Sequence, residues 1–356
     1  MRPVTKSYIL NHTAFALRGG KNKHFWFLTK SFLVLLLTRG TNTNNQPLSG
    51  YFCTCNYFKK LFPMLFPGTI TIAGDSDHPL SVNRQGYGTM RLTGPGIYGE
   101  PPNRPEALDI LKQAVKSGVN FLDTADYYGE DVTNRLIAEA LYPYPEGLVI
   151  CTKVGGARKP DKSWIPFNTP ENLRTSIDNN LRTLKLEQIS LVHFRVIHGS
   201  NVPFPESMDA MFALQKEGKI LHVGVSNVSP KHLEIAMNMG KIATVENMYG
   251  HAQRITLTSA HGDNSGGEEV LEICEEHRIP LIPYFSLFTS MPKKDTRITS
   301  IAQKYNVSEA QVNIAWLLHK SPWILPIPGT SSLKHFEENM KAADIELTEE
   351  DMKFLA

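Results

Sequence analysis

The sequence has no long apolar run and little cysteine. No stretch of the 356 residues reaches the roughly 18 consecutive apolar residues that span a bilayer, which excludes an integral membrane protein by hydropathy. Cys53 and Cys55 have no second pair at zinc-ligand spacing, which argues against a metal site there. Cys151 and Cys274 make up the rest of the four cysteines and fit a reduced, cytoplasmic compartment without a disulfide framework.

Acidic residues are missing from residues 1–63, which hold nine Lys or Arg. The other 293 residues carry the remaining 28 basic residues against 35 acidic ones, a net charge of −7. A mildly acidic body does not imply a phosphate-neutralising patch, so nucleic acid is not expected as a partner. Hydrophobic residues make up 41% of the chain and charged residues 20%, which excludes wholesale disorder and allows a large core.

Residues 1–63 show no steady helical or strand period, and we expect them to be disordered or to precede the true start at Met64. Their apolar run at residues 32–37 is short and is followed at once by Arg39, unlike a secretory signal. An organelle-targeting peptide also fits a basic, acid-free segment, as does a membrane-targeted form of the protein. We expect residues 64–356 to form the folded domain.

From residue 85 onwards, apolar strand-like runs alternate with helical patterns. The predicted strands are residues 85–90, 119–123, 148–153, 189–195, 220–226, 242–248, 279–285 and 323–326, and helices are predicted at 106–116, 132–141, 170–184, 206–216, 231–239 and 268–276. This alternation predicts right-handed crossovers and a parallel sheet. Eight strands are the number in a (β/α)₈ barrel, whose chemistry lies at the C-terminal strand ends. Before them, residues 69–72 and 81–84 flank turn residues and predict an N-terminal β-hairpin.

The run Gly94-Pro-Gly96-Ile-Tyr-Gly99 matches the glycine pattern of a dinucleotide-binding fold. In that fold the glycines end a strand and open a helix directed at the pyrophosphate. Residues 100–105 contain three prolines, which cannot continue such a helix. We therefore predict a glycine-rich loop and reject the open doubly wound sheet.

Asp123 and Tyr128 follow the second predicted strand, and Lys153 ends the third. A phenol is a poor acid at neutral pH unless a neighbour stabilises its anion. A lysine ammonium held by a carboxylate does this, so the three residues form a plausible general acid for a carbonyl oxygen. Equally, Asp123 and Lys153 could form a structural ion pair, with Tyr128 a rim aromatic.

These residues resemble a pattern of the aldo-keto reductases. The family's Asp-Thr-Ala-x-x-Tyr-Gly matches residues 123–129, and the lysine ending its next strand matches Lys153. Its Gly-x-Ser-Asn matches residues 224–227, and its Ile-Pro-Gly-Thr…Glu-Asn matches residues 327–330 with Glu338 and Asn339. The resemblance runs from about Thr69 to the end, with the motifs in order. It implies a (β/α)₈ barrel that transfers hydride from NADPH to a small carbonyl compound.

The resemblance also implies residue roles. Tyr128 would donate the proton, Lys153 would lower its pKa and Asp123 would hold Lys153. Ser226 and Asn227 would bind the nicotinamide carboxamide, although they could instead cap the helix near Pro230. Tyr284 would stack on the nicotinamide ring, although it could instead be an ordinary residue of the barrel interior. The other implied cofactor-binding residues are Met90, Glu246, Ser286, Leu287, Gly329, Thr330, Ser331, Ser332, His335, Glu338 and Asn339.

Two positions depart from the family pattern. Arg195 stands where the family has histidine at the end of the fourth strand, and Glu246 stands where it has glutamine after the sixth. Arginine there, together with Gly94-Pro-Gly96 and the run Ala140-Leu-Tyr-Pro-Tyr144, is similar to the pyridoxal reductase (pyridoxine 4-dehydrogenase) branch, which makes pyridoxal the leading substrate. The other open function is a nicotinamide-binding regulatory subunit like those of potassium channels. No metal is expected, because His and Cys do not cluster at ligand spacing.

Overall fold

The computed structural model describes residues 24–28, 33–37, 68–252, 254, 257–258, 264–265, 267–287 and 295–356. The chain divides into two compact units, Met1–Pro63 and Met64–Ala356. In the first, strands β1 (His24–Leu28) and β2 (Leu33–Leu37) pair antiparallel. The sequence analysis did not predict these strands, although their aromatic and branched residues favour extended structure. Cys53, Cys55 and Met64 lie outside the described residues.

The second unit contains a closed parallel barrel. Its strands are β5 (Tyr87–Gly88), β6 (Phe121–Asp123), β7 (Val149–Arg158), β9 (Ile189–Arg195), β10 (Ile220–Ser226), β11 (Val245–Met248) and β14 (Leu281–Tyr284), paired side by side in this order. Two short strands, β12 (Leu257–Thr258) and β13 (Asn264–Ser265), form a separate antiparallel pair. Residues 323–326 form the eighth position. Ile324 bridges Leu281 in parallel, and the Pro326 carbonyl accepts a hydrogen bond from the Gly86 N–H at 2.9 Å. These contacts close the sheet and confirm the predicted (β/α)₈ barrel.

Helices follow the strands along the chain, as the alternation predicts. They are α1 (Arg104–Lys116), α2 (Val132–Leu141), α3 (Pro170–Leu184), α4 (Phe204–Lys216), α5 (Pro230–Met239), α6 (Glu268–Glu276), α7 (Thr296–Tyr305), α8 (Glu309–Lys320), α9 (Leu333–Met340) and α10 (Glu349–Phe354), with 3₁₀ turns at Thr89–Leu92 and Lys341–Asp344. Polar side chains start several of them: Asn103 caps α1, and Thr169 caps α3. Such caps accept N–H groups that have no partner within the helix. Among the helices in the described ranges, none is long and apolar enough to cross a membrane.

A β-hairpin covers the N-terminal end of the barrel. Strands β3 (Thr69–Ile72) and β4 (Leu80–Asn83) pair antiparallel, as predicted. Alternate residues of β3 are buried, and they pack in one apolar cluster with residues at the starts of barrel strands, including Phe121, Val149 and Ile282. The opposite end, where the strands finish, is the end that carries chemistry in this fold.

One strand prediction needs correction, and one loop prediction is confirmed. The first barrel strand is only Tyr87–Gly88, because residues 89–92 turn into a 3₁₀ helix. The sequence analysis did not predict a hairpin in which β7 extends to Arg158 and pairs antiparallel with β8 (Trp164–Phe167). The glycine-rich segment at 94–99 is a loop, as predicted, closed by a hydrogen bond from the Gly94 N–H to the Gly99 carbonyl at 3.0 Å.

Candidate active site

The C-terminal ends of the parallel strands bring the predicted site residues together. Register pairs join Lys153 to His193, Arg195 to Ser226, and Ser226 to Glu246 across neighbouring strands. Parallel strands finish at one edge of the sheet, so residues far apart in sequence meet there. Asp123 ends β6 in the same way.

A buried ion pair lies at the centre of this edge. The Lys153 ammonium donates to both carboxylate oxygens of Asp123 at 2.6 and 2.7 Å and to the Thr124 carbonyl at 3.1 Å. Lys153 is 0% exposed and Asp123 2%. Breaking such a pair would leave a buried charge without compensation, so each partner fixes the other in place.

Tyr128 lies against this lysine. The Lys153 nitrogen is 5.0 Å from the Tyr128 ring centroid, and Tyr127 packs edge-on at 5.4 Å. Burial raises the pKa of Tyr128 to about 12, while Lys153 opposes that increase. The phenol is therefore protonated at neutral pH and can act as a proton donor.

A second carboxylate contacts the same ammonium. Glu246 Oε1 lies 3.3 Å from Lys153 Nζ, and its Oε2 lies 3.1 Å from His193 Nδ1. His193 also contacts the Cys151 thiol at 3.2 Å and the Thr244 hydroxyl at 2.7 Å. Burial lowers the pKa of His193, so its imidazole is neutral at pH 7. The nicotinamide role of Glu246 stays a prediction.

One group of side chains has metal-ligating atoms close together. The atoms of Asp123, Cys151 and His193 lie within 4.8 Å of one another. Both oxygens of Asp123 already accept hydrogen bonds from Lys153. Burial raises the pKa of the Cys151 thiol, whereas a metal ligand must be a thiolate. This chemistry suits a hydrogen-bonded cluster better than a metal centre.

Arg195 links three residues expected near the nicotinamide. It donates to the Ser226 hydroxyl at 3.1 Å, and its guanidinium carbon lies 4.7 Å from the Tyr284 ring centroid. Tyr284 in turn donates to the side-chain oxygen of Asn227 at 3.1 Å. The alternative that Ser226 and Asn227 cap α5 is wrong, because Ser229 caps that helix.

The residues predicted to bind the adenosine end lie around the start of α9. Thr330, Ser331 and Ser332 precede the helix, His335 is exposed in its first turns, and the Glu338 carboxylate lies 3.9 Å from Lys334. Ser332 makes no side-chain cap. Instead, Glu106 of α1 accepts a hydrogen bond from the Leu333 N–H at 3.2 Å. An anionic oxygen is thus accommodated at this N-terminus, as its dipole favours.

The other predicted cofactor residues lie around the same end of the barrel. Met90 packs on the cluster that contains Tyr128, Ser286 is buried in the loop after β14, and Leu287 packs beside α8. The Asn339 carbonyl accepts a hydrogen bond from Gln85 at 2.8 Å. A Cβ on Gly329 would lie 2.5 Å from the Gly88 carbonyl, so the backbones approach closely where only glycine fits.

Similarity to known proteins identifies the family of this chain. Residues 85–356 match the model of the Aldo/keto reductase family. The chain belongs to this family. It is 38% identical over 280 residues to pyridoxine 4-dehydrogenase of Escherichia coli strain K12, covering 77% of this chain and 94% of that protein. It is 37% identical over 284 residues to an uncharacterised oxidoreductase of Schizosaccharomyces pombe, covering 80% and 87%.

Solved aldo-keto reductases share the fold. A thermostable aldo-keto reductase in complex with the inhibitor epalrestat matches at a TM-score of 0.66 and 27% identity, covering 81% of this chain and 98% of that one. An aldo-keto reductase from Klebsiella pneumoniae in complex with NADPH matches at a TM-score of 0.64 and 22% identity, covering 82% and 94%. The second likeness shows the fold alone.

The sequence analysis of this aldo/keto reductase missed two contacts, that of His193 with Glu246 and that of Glu106 with the Leu333 N–H. His193 lies two residues before Arg195, so the alternation of a strand places both on one face, and that signal was available. The Glu106 carboxylate at α9 had no such signal, because 227 positions separate it from Leu333.

Proposed function

We propose that this aldo/keto reductase reduces an aldehyde or ketone with NADPH, with Tyr128 as the proton donor and pyridoxal as the leading substrate. The strongest support is the buried arrangement in which Asp123 holds Lys153 at 2.6 and 2.7 Å and Lys153 faces the Tyr128 ring at 5.0 Å. A proton donor, a cation that stabilises its anion and an anchor for that cation thus occur in one place.

In the proposed reaction, the Tyr128 hydroxyl gives its proton to the carbonyl oxygen. The Lys153 ammonium stabilises the phenolate that remains, and Asp123 keeps the ammonium from turning away. The permanently charged Arg195 orients the polarised carbonyl electrostatically and does not exchange a proton. The nicotinamide supplies the hydride, and this chemistry belongs to the cofactor.

The described residues fit such a cofactor. Ser226, Asn227 and Tyr284 offer a hydroxyl, an amide and a ring at the strand ends, where they now bind one another or Arg195. At the other end, the α9 N-terminus already accepts the Glu106 carboxylate, and a phosphate suits the same dipole. Lys334 and His335 add basic side chains beside it. The 2′-phosphate of NADPH is the group these features favour.

The choice of pyridoxal rests on similarity to the pyridoxine 4-dehydrogenase of Escherichia coli. A cluster of aromatic and apolar side chains suits a flat aromatic aldehyde, since Met90, Ile97 and Trp164 pack against Tyr127 and Tyr128. Tyr128 in turn lies beside Lys153. A cytoplasmic location is part of the proposal, because Cys151 and Cys274 are free thiols, as a reduced compartment would keep them.

A nicotinamide-binding regulatory subunit with little turnover is the alternative, and the complete Asp123, Tyr128 and Lys153 set speaks against it. The two are separated by measuring NADPH oxidation by the purified protein with a panel of aldehydes that includes pyridoxal. We expect oxidation that depends on the aldehyde and is lost in Tyr128→Phe. Tight NADPH binding without oxidation by any aldehyde would favour the regulatory function.

A further inference from the structure

Glu246 is a buried carboxylate with no part in the mechanism proposed above. It is 1% exposed and lies 3.3 Å from the Lys153 ammonium, which Asp123 already holds. One buried cation therefore serves two buried carboxylates. Such an arrangement is costly unless another positive charge is close.

Arg195 supplies the second positive charge. Its register partner is Ser226, and the register partner of Ser226 on the other side is Glu246. Arg195 thus reaches the same level of the barrel two strands away from Glu246. An arginine stays protonated at every working pH. Burial and the nearby Glu246 raise the pKa of Asp123 to about 8, so both carboxyl groups are ionised in the alkaline range where Tyr128, with a pKa of about 12, loses its proton. In that range the cluster contains two carboxylates, Asp123 and Glu246, and two cations, Lys153 and Arg195.

His193 lies beside Glu246 without adding charge, because burial lowers its pKa. Its Nδ1 lies 3.1 Å from Glu246 Oε2, and its Nε2 lies 2.7 Å from the Thr244 hydroxyl. The same Nδ1 contacts the Cys151 thiol at 3.2 Å, and Glu246 Oε2 has no hydrogen-bond partner among the described residues. The ring is packed closely, since a Cβ on Gly224 would lie 2.4 Å from it.

We infer that Glu246 is a positioning residue, which holds Lys153 beside Tyr128 together with Asp123 and whose negative charge balances that of Arg195. This inference deepens the proposed function and rests on it for the role of Tyr128. The charge balance would limit the change in the pKa of Tyr128, because the carboxylates raise this pKa and the cations lower it.

The charges near Tyr128 determine the direction in which each substitution should shift its pKa. Glu246 and Asp123 raise the pKa of Tyr128 after burial has raised it, and Lys153 and Arg195 lower it. The other titratable groups packed there are Tyr127, His193 and Cys151. Removing the Glu246 charge should make Tyr128 more acidic, and removing the Arg195 charge should make it less acidic.

The test is an ultraviolet titration of tyrosinate in the purified protein, without substrate. Subtracting the matched protein that also carries Tyr128→Phe isolates the ionisation of Tyr128. We expect Glu246→Gln to move the midpoint to lower pH, Arg195→Gln to move it to higher pH, and the double variant to return it close to the parent value. Glu246→Asp keeps the charge and should stay near the parent.

The matched control is Glu268→Gln, which removes a carboxylate 3.1 Å from Lys320 outside the cluster and should leave the midpoint unchanged. In denaturant, the double variant should have an unfolding constant about tenfold smaller than the two single changes predict together. If Glu246→Gln does not fold, Arg195→Gln and the double variant still decide the sign.

An unchanged midpoint in Glu246→Gln, or a double variant that does not return towards the parent, would overturn the inference. A selective loss of NADPH affinity in Glu246→Gln, with the midpoint unchanged, would make Glu246 a cofactor contact instead. The titration needs no turnover, so an enzyme that reduces no aldehyde would contradict the proposed function while leaving this result readable.

Discussion

The ammonium nitrogen of Lys153 lies 5.0 Å from the centroid of the Tyr128 ring and faces a phenol that is almost entirely buried. Burial alone makes such a phenol a weak acid, and the adjacent cation opposes that effect. The lysine is in turn fixed by Asp123. The rate of proton transfer from Tyr128 should therefore depend on both Lys153 and Asp123.

Tyr128→Phe should lower the rate of aldehyde reduction by about 10²-fold or more, because the proton donor is lost. Lys153→Met should act in the same direction, because the pKa of Tyr128 then rises further. Single-turnover mixing of the NADPH complex with aldehyde measures both. NADPH affinity should barely change in Tyr128→Phe, and parent-like reduction by this variant would mean that Tyr128 is only a rim aromatic.

The pH dependence of reduction should show no step from Arg195 between about pH 6 and 8, the window in which a histidine titrates. Any step from His193 should lie at lower pH than that of a free histidine, because burial lowers its pKa. Arg195→His places a titratable group at the end of β9 and should introduce a step. Rate profiles of the two proteins check this, and a step already present in the parent that is lost in Arg195→Gln would contradict it.

The barrel could be predicted because its strands and helices repeat regularly along the sequence. Apolar strand runs recur between helical patterns, and the order of motifs at strand ends fixes which residues meet. The end of the first strand was not predictable, because residues 89–92 form a 3₁₀ helix whose Thr89 hydroxyl bonds the Asp123 carbonyl at 2.9 Å. A contact across 34 positions leaves no local trace.

The same distinction applies to the site. Asp123, Tyr128 and Lys153 follow from a motif and from strand alternation. Lys153 forms ion pairs with both Asp123 and Glu246. These contacts depend on which side chains of β6, β7 and β11 point into the barrel, and the sequence alone does not give this. The sequence also could not reveal the β7–β8 hairpin, because the pairing of residues 155–158 with 164–167 extends a strand beyond the barrel layer.

The N-terminal segment can be tested by truncation. A shortened chain that begins at Met64 should melt at the same temperature as the full chain and bind NADPH with the same affinity, because the family match begins at residue 85 and residues 1–63 hold no acidic group. Thermal melts and cofactor titrations of both proteins make the comparison. A large loss of stability or affinity would show that the segment contributes to the domain.

Preference for NADPH over NADH should depend on His335. This exposed side chain lies in the first turns of α9 beside Lys334, where it can make a charge-assisted contact with a 2′-phosphate. His335→Ala should therefore weaken NADPH binding and leave NADH binding nearly unchanged. Fluorescence titrations with both cofactors decide this, and equal dissociation constants in the parent would remove the assignment.

Glu106 should oppose the same phosphate. Its carboxylate accepts a hydrogen bond from the Leu333 N–H at 3.2 Å, and so it holds the dipole end that an anionic ligand would use. Glu106→Gln removes a negative charge beside the predicted 2′-phosphate pocket and should tighten NADPH binding several-fold, about one kcal/mol or less by the usual size of such a contact. NADH lacks the phosphate and should respond little, which makes it the internal control.

The control variant is Glu139→Gln, which removes an exposed carboxylate paired with Arg104. Arg104 lies on α1, as Glu106 does, and this change should alter neither cofactor's affinity. Weaker NADPH binding in Glu106→Gln would mean that Glu106 orders the α9 N-terminus for the cofactor and does not compete with it.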